Sequence, residues 1–103
     1  MGWKDFDNFR SKYDSTINPV NYAKRNAVWN TCDILGYMYE SNIIDMETIF
    51  AISGPAVHIT WEKFKPIIMG YRDRGEYSRI QYRHWEYLAS EMSKWMAQNK
   101  VGE

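Results

Sequence analysis

Apolar residues along this chain recur at spacings of three and four, the period of a helix that buries one face. Trp3, Phe6, Phe9 and Tyr13 follow it, with Lys4, Asp7, Asn8 and Lys12 between them, which predicts an amphipathic first helix over Trp3 to Tyr13. Asp14-Ser15-Thr16 then opens a loop. Asn18-Pro19 reads as a helix start, because Asn accepts from a free backbone N–H at the N-cap and Pro tolerates the first helical position. A second helix is predicted from Pro19 to about Ser41, long enough to span roughly 33 Å. Its inward stripe reads Ala23, Ala27, Thr31, Ile34 and Met38, widened by Val28 and Leu35. Arg25, Asn26, Asn30, Asp33 and Glu40 fall on the side expected to face water, and Asn42 suits a left-handed stop.

Asp45 opens a short third helix, with Glu47 and Thr48 in its first turn and Ile49, Phe50 and Ile52 as its apolar residues. Ser53-Gly54-Pro55 interrupts it. The fourth helix, Pro55 to about Arg74, places Val57, Trp61, Phe64, Ile68 and Tyr71 on one face. Pro66 lies inside it, removes a backbone donor and crowds the carbonyl of Glu62, so a kink is expected near Trp61 to Lys65. Gly75 stops that helix. A fifth helix is predicted from about Tyr77 to Gln98, with Ile80, His84, Leu88, Met92 and Trp95 inward and Trp85, Ala89 and Met96 widening the stripe; Asn99 to Glu103 should fray. No segment alternates with a period of two. The pattern predicts an all-α fold, one small bundle of about five helices over residues 1–103 with a Pro-kinked fourth helix.

Composition narrows the functions more than the fold. The 13 basic and 13 acidic side chains cancel, which argues against nucleic acid, whose non-specific affinity comes from neutralised phosphates. The opening Met1-Gly2-Trp3-Lys4-Asp5 is too polar for a secretory signal, and Phe6 occupies the place where a myristoylation start needs Ser or Thr. No apolar run reaches the roughly 18–20 residues of a membrane span, and a single cysteine, Cys32, favours a reducing, cytoplasmic setting. Surface attachment to a membrane through Trp3, Phe6 and Phe9 is opposed by Asp5, Asp7 and Asp14, which cancel the nearby basic charge. Five Trp, eight Tyr and four Phe are many for so small a domain, so some are expected at an interface.

Candidate chemistry is sparse. His58, His84 and Cys32 fall on different predicted helices, with no two ligands at metal-binding spacing. There is no nucleophile elbow and no Gly-rich phosphate loop, and Cys32 sits mid-helix, where nothing favours its thiolate. No catalytic residue, metal or cofactor is therefore expected. From Tyr71 to Glu86 the chain does interleave Arg72, Arg74, Arg79 and Arg83 with Tyr71, Tyr77 and Tyr82, a mixture that can grip phosphates and stack on rings. Asp73, Glu76 and Glu86 almost neutralise it, so a salt-bridged surface competes with a ligand site.

Particular runs carry a family likeness: Leu35-Gly36-Tyr37-Met38-Tyr39 with Asn42-Ile43-Ile44-Asp45, then Thr60-Trp61-Glu62-Lys63-Phe64-Lys65-Pro66-Ile67-Ile68, Arg72, and Trp85-Glu86-Tyr87-Leu88-Ala89. Over about residues 34–92 the sequence resembles the bacterial and archaeal family known as domain of unknown function 4760. The resemblance implies a prokaryotic helical domain with no assigned reaction. Many relatives carry membrane-spanning helices ahead of this domain, whereas the N-terminal segment here is amphipathic. Trp61 is expected at a helix seam, and Arg72 forked onto the carboxylate of Glu86 or Glu62, a pairing that Lys would not replace.

The reading that follows is a non-catalytic interaction module binding another protein or a second copy of itself. The alternative is a sensor or sequestering protein that holds a nucleotide or other phosphate compound at the 71–83 patch. Trp61, Arg72, Arg79, Tyr82 and Arg83 are the candidate binding residues; Asp45, Pro66 and Glu86 are candidate structural ones.

Overall fold

The computed structural model describes residues 2–99, and the fraying expected beyond Asn99 lies outside them. Five α-helices follow in order: α1 Phe6–Tyr13, α2 Pro19–Glu40, α3 Met46–Ser53, α4 Ala56–Asp73 and α5 Arg83–Gln98. The described residues contain no strand, and α2 and α4 both pack on α5. Start signals act where the sequence placed them. Asn18 accepts from the Asn21 N–H at 3.1 Å, and Asp45 from the Thr48 N–H at 2.8 Å, a bond that lowers the carboxyl pKa of Asp45. Asn42 takes a left-handed φ of 59° after α2. The chain stays helical through Pro66, whose ring faces solvent.

α4 buries Val57, Trp61, Phe64, Ile68 and Tyr71, the stripe its spacing predicts, together with Ile67. α1 starts three residues later than expected, at Phe6, because Asp5 caps it by accepting from the Asn8 N–H. Trp3 precedes the helix and stacks on Phe64 at 5.3 Å. Phe9 is fully buried and Phe6 meets Tyr71 edge-on at 4.9 Å, so both rings pack into the bundle.

Two expectations are corrected. The core face of α2 is not the aliphatic stripe but Arg25, Trp29, Cys32 and Gly36. Trp29 sits at the centre of the aromatic core, 5.1 Å from Phe64, 5.6 Å from Tyr82 and 6.1 Å from Trp85. One buried Trp removes more apolar area from water than the Ala and Thr residues of the rival stripe. Gly36 fixes the same orientation, because a Cβ there would overlap the His84 carbonyl where α5 crosses.

The second correction concerns α5, which begins at Arg83 and not Tyr77. Tyr77 and Tyr82 are five residues apart, about 140° around a helix, and could not both face the core from one. A non-helical segment lets both fold back: Tyr77 stacks on Tyr71 at 4.5 Å and Tyr82 meets Tyr77 at 5.6 Å. Tyr82 reaches this place in a left-handed conformation, φ 64°. Ile80 is consequently exposed and His84 only half-buried.

Candidate functional site

With Trp29 turned inward, most of the stripe of α2 that looked like core faces water, while Leu35 and Met38 are half-buried. Val20 and Ile34 are 65% and 59% exposed, Val28 is exposed at 48%, and Ala23, Ala27 and Thr31 lie between them. Only Lys24 brings a charge to this strip. Beside it runs an apolar groove of about 340 Å³, whose walls are Ala27, Val28, Thr31 and Leu35 of α2 and Ala56 and Thr60 of α4. Ile52 and Ile59, from the adjoining ends of α3 and α4, are also largely exposed. Small side chains along the groove leave the backbones of α2 and α4 open to close approach by a further helix.

The arginine and tyrosine residues of 71–83 do not form one surface. Tyr71 and Tyr82 are buried and Tyr77 half-buried, stacked among themselves, and burial pushes all three phenols up. Tyr82 also donates to Asn26 Oδ1 at 3.3 Å. Arg72 donates to Glu86 Oε1 at 3.0 Å and to the Gln81 carbonyl at 2.7 Å, so it bridges α4, the loop and α5 with one bond to the carboxylate and not a fork. Arg74 pairs with Asp7 at 2.6 Å, while Arg10 of α1 takes Glu76 at 2.8 Å. Arg79 and Arg83 form no ion pair among the described residues, and they lie apart. Arg79 borders a shallow site with Met69 and Asp73, and Arg83 borders a larger groove between α4 and α5.

That groove, about 670 Å³, is lined by His58, Trp61, Lys65, Arg83, Glu86 and Lys94 among others. Trp61 forms its floor at the α4–α5 seam, with its ring 5.2 Å from that of Trp85. His58 Nδ1 is buried there without a partner among the described residues. Asp45 and Pro66 lie away from it, the first as the cap of α3 and the second on the outer side of α4.

Two residues that matter to this geometry, Arg25 and Asp33, were expected to face water, and Trp29 was assigned to neither side. Arg25 is only 4% exposed; it donates to the Tyr13 carbonyl at 2.7 Å and lies over the rings of Tyr22, Phe9 and Trp29. Asp33 caps α5 from α2. Trp29 forms the core. Their signal was in the sequence: Arg25, Trp29, Cys32 and Gly36 also run at four, three and four.

Cys32, His58 and His84 lie on different helices, α2, α4 and α5. Among the described residues no group of three His, Cys, Asp or Glu side chains could hold a metal ion. Burial, with some help from Asp33, pushes the Cys32 thiol up to about 11, so it is protonated and poorly nucleophilic at neutral pH. His84 meets Glu40 at 3.2 Å, far in sequence from His58. No described helix is long and apolar enough to cross a membrane.

No curated protein and no solved structure matches the chain. A family model does, and it reaches back beyond the motifs of helices two to five to include α1. Described as Domain of unknown function (DUF4760), it matches residues 3–95, and the protein belongs to that family.

Proposed function

We propose that this protein is a non-catalytic interaction module that binds protein through the outward strip of α2 and the groove beside it. The observation that carries this reading is the exposure of Val20, Val28 and Ile34 on a helix whose other side is already buried. Scattered exposed aliphatics are ordinary on a surface, but a contiguous strip along one helix with an adjoining apolar groove is the form of an interaction site. Scarcity of charge on the strip also fits the depletion of charged residues at interface cores. The single, buried, protonated Cys32 suits a reducing cytoplasmic setting.

The test is a paired capture from a lysate of the source organism, with the wild type and Ile34→Lys as baits. Proteins, including the protein itself, retained by the first and lost by the second are expected. Identical retention by both would remove the strip from the account.

A second reading, a phosphate-bearing small ligand, is supported by Lys65, Arg83 and Lys94 around the α4–α5 groove. Arg72 and Tyr82 would act there only by shaping its wall, since both are engaged within the fold. Thermal shift against nucleotides decides it: a ligand bound to the native state must raise the midpoint, and no rise at millimolar concentration ends this reading.

A further inference from the structure

The outward strip has an internal order that goes beyond its being apolar. Val20, Lys24, Ala27, Thr31, Ile34 and Met38 stand at successive steps of four, three, four, three and four along α2. This is the heptad spacing by which one helix packs into the side of another with the same repeat. It runs from Val20 to Met38, nearly the whole of a 22-residue helix, a distance of about 27 Å. The core residues Arg25, Trp29, Cys32 and Gly36 already use the opposite side. The seam therefore points to a helix outside the described fold.

Resting on the reading of this strip as an interaction surface, we infer that its occupant is a second copy of this chain, with the two α2 helices packed antiparallel about a two-fold axis near Trp29. An isologous dimer needs one patch that complements itself, and the seam does so in this direction. Turning α2 about its midpoint sets Val20 opposite Met38, Lys24 opposite Ile34 and Ala27 opposite Thr31. The small pair falls nearest the axis, where the backbones approach closest, and the larger pair fills the ends.

Charge selects the same orientation. In a parallel pair the two Lys24 ammonium groups would meet across the seam. In the antiparallel pair they stand about 15 Å apart along the axis, beyond the screening length of about 8 Å in physiological salt. The two helix dipoles also oppose one another favourably. Val28, flanking the seam, can then enter the groove of the partner between Leu35 and Ala56. A strip of this length and one helix wide, extended by the groove, offers several hundred Å² per chain, at the small end of stable interfaces. A dimer dissociating in the micromolar range is the expected result.

Two measurements test the inference. In sedimentation equilibrium from 1 to 500 micromolar (loading concentrations), the wild type should pass from monomer to dimer, and Ile34→Lys, which sets a second ammonium group opposite Lys24 of the other copy, should remain monomeric. For orientation, Cys32→Ser chains carrying Val20→Cys and Met38→Cys are mixed and oxidised; the mixed disulfide should form well ahead of either self-linked product. A wild type that stays monomeric throughout overturns the inference. If capture by the wild type and not by Ile34→Lys persists in that case, the interaction reading stands with another partner. A dimer that links Val20→Cys to itself overturns the antiparallel arrangement.

Discussion

The carboxylate of Asp33, on α2, accepts the backbone N–H of Trp85, in the first turn of α5, at 3.0 Å. The third residue of a helix is normally served by its own N-cap side chain, but the cap here is Tyr82 in a left-handed conformation, with no side-chain bond to give. Asp33 supplies that bond from 52 residues away and sets negative charge at the positive end of α5. Asp33→Ala should lower unfolding free energy by about 1–2 kcal/mol in urea titration. The exposed Asn30→Ala, one turn away, should change it by less than about 0.5 kcal/mol. Equal effects would deny Asp33 its role as a cap.

The two central tryptophans should respond differently to loss of the indole N–H. Trp85 Nε1 donates to the Val57 carbonyl at 3.1 Å, tying α5 to α4. Trp29 Nε1 is buried without a partner among the described residues. Phenylalanine at either site removes volume, but only at Trp85 does it also break a buried bond. Trp85→Phe is expected to cost about 1 kcal/mol more than Trp29→Phe in the same titration, and the reverse order would contradict the bonding described.

Arg25 is buried with a carbonyl and aromatic faces as its partners. Its guanidinium donates to the last carbonyl of α1 and to Asn21 Oδ1 and sits over the rings of Phe9 and Tyr22, which a lysine ammonium cannot reproduce. Arg25→Lys and Arg25→Met should both lose about 2–3 kcal/mol. A lysine variant as stable as the wild type would show that charge alone suffices there.

High pH should weaken the fold through groups that are buried neutral. The Cys32 thiol goes from an ordinary 9.0 in the unfolded chain to about 11 in the folded one, and Tyr71, Tyr77 and Tyr82 are raised as well, each chiefly by burial. A raised folded pKa contributes stability that is complete below the unfolded value and lost as pH climbs through the folded one. Unfolding free energy measured against pH should therefore be level from 7 to 9 as far as these groups are concerned and decline from 9 upward. Cys32→Ser should decline less between 9 and 11; an identical slope would mean that the thiol is not buried neutral. Alkylation of Cys32 at pH 8 should be slow for the same reason.

How far the sequence foretold this molecule differs from helix to helix. In α4 a single stripe ran Val57, Trp61, Phe64, Ile68, Tyr71 with no rival, and it is the buried face. In α2 two stripes competed at the same spacing. Counting aliphatic positions favoured the one through Ala27 and Ile34, while burial followed the single Trp29 and the long, aromatic-stacking Arg25. The residues of the outward strip were thus visible as a pattern, but their direction was not. The start of α5 was hidden for another reason, since its capping carboxylate lies on a distant helix and leaves no local signal. For Arg72 the family likeness left Glu86 and Glu62 as alternative partners, of which the structure has Glu86, whereas the inward stacking of Tyr77 and Tyr82 depended on the segment leaving the helix.

The central claim is that α2 has two apolar faces, one for its own core and one for a partner helix. Thermal midpoints of the wild type and Ile34→Lys, followed over a hundredfold range of protein concentration, test it most directly. At the lowest concentration the two should unfold with free energies within about 0.5 kcal/mol, because Ile34 is on the surface. With rising concentration only the wild-type midpoint should climb, because association stabilises the native state by mass action. A variant weakened by about 3 kcal/mol at high dilution would place Ile34 in the core, and level midpoints for both chains would leave the outward face without the partner claimed for it.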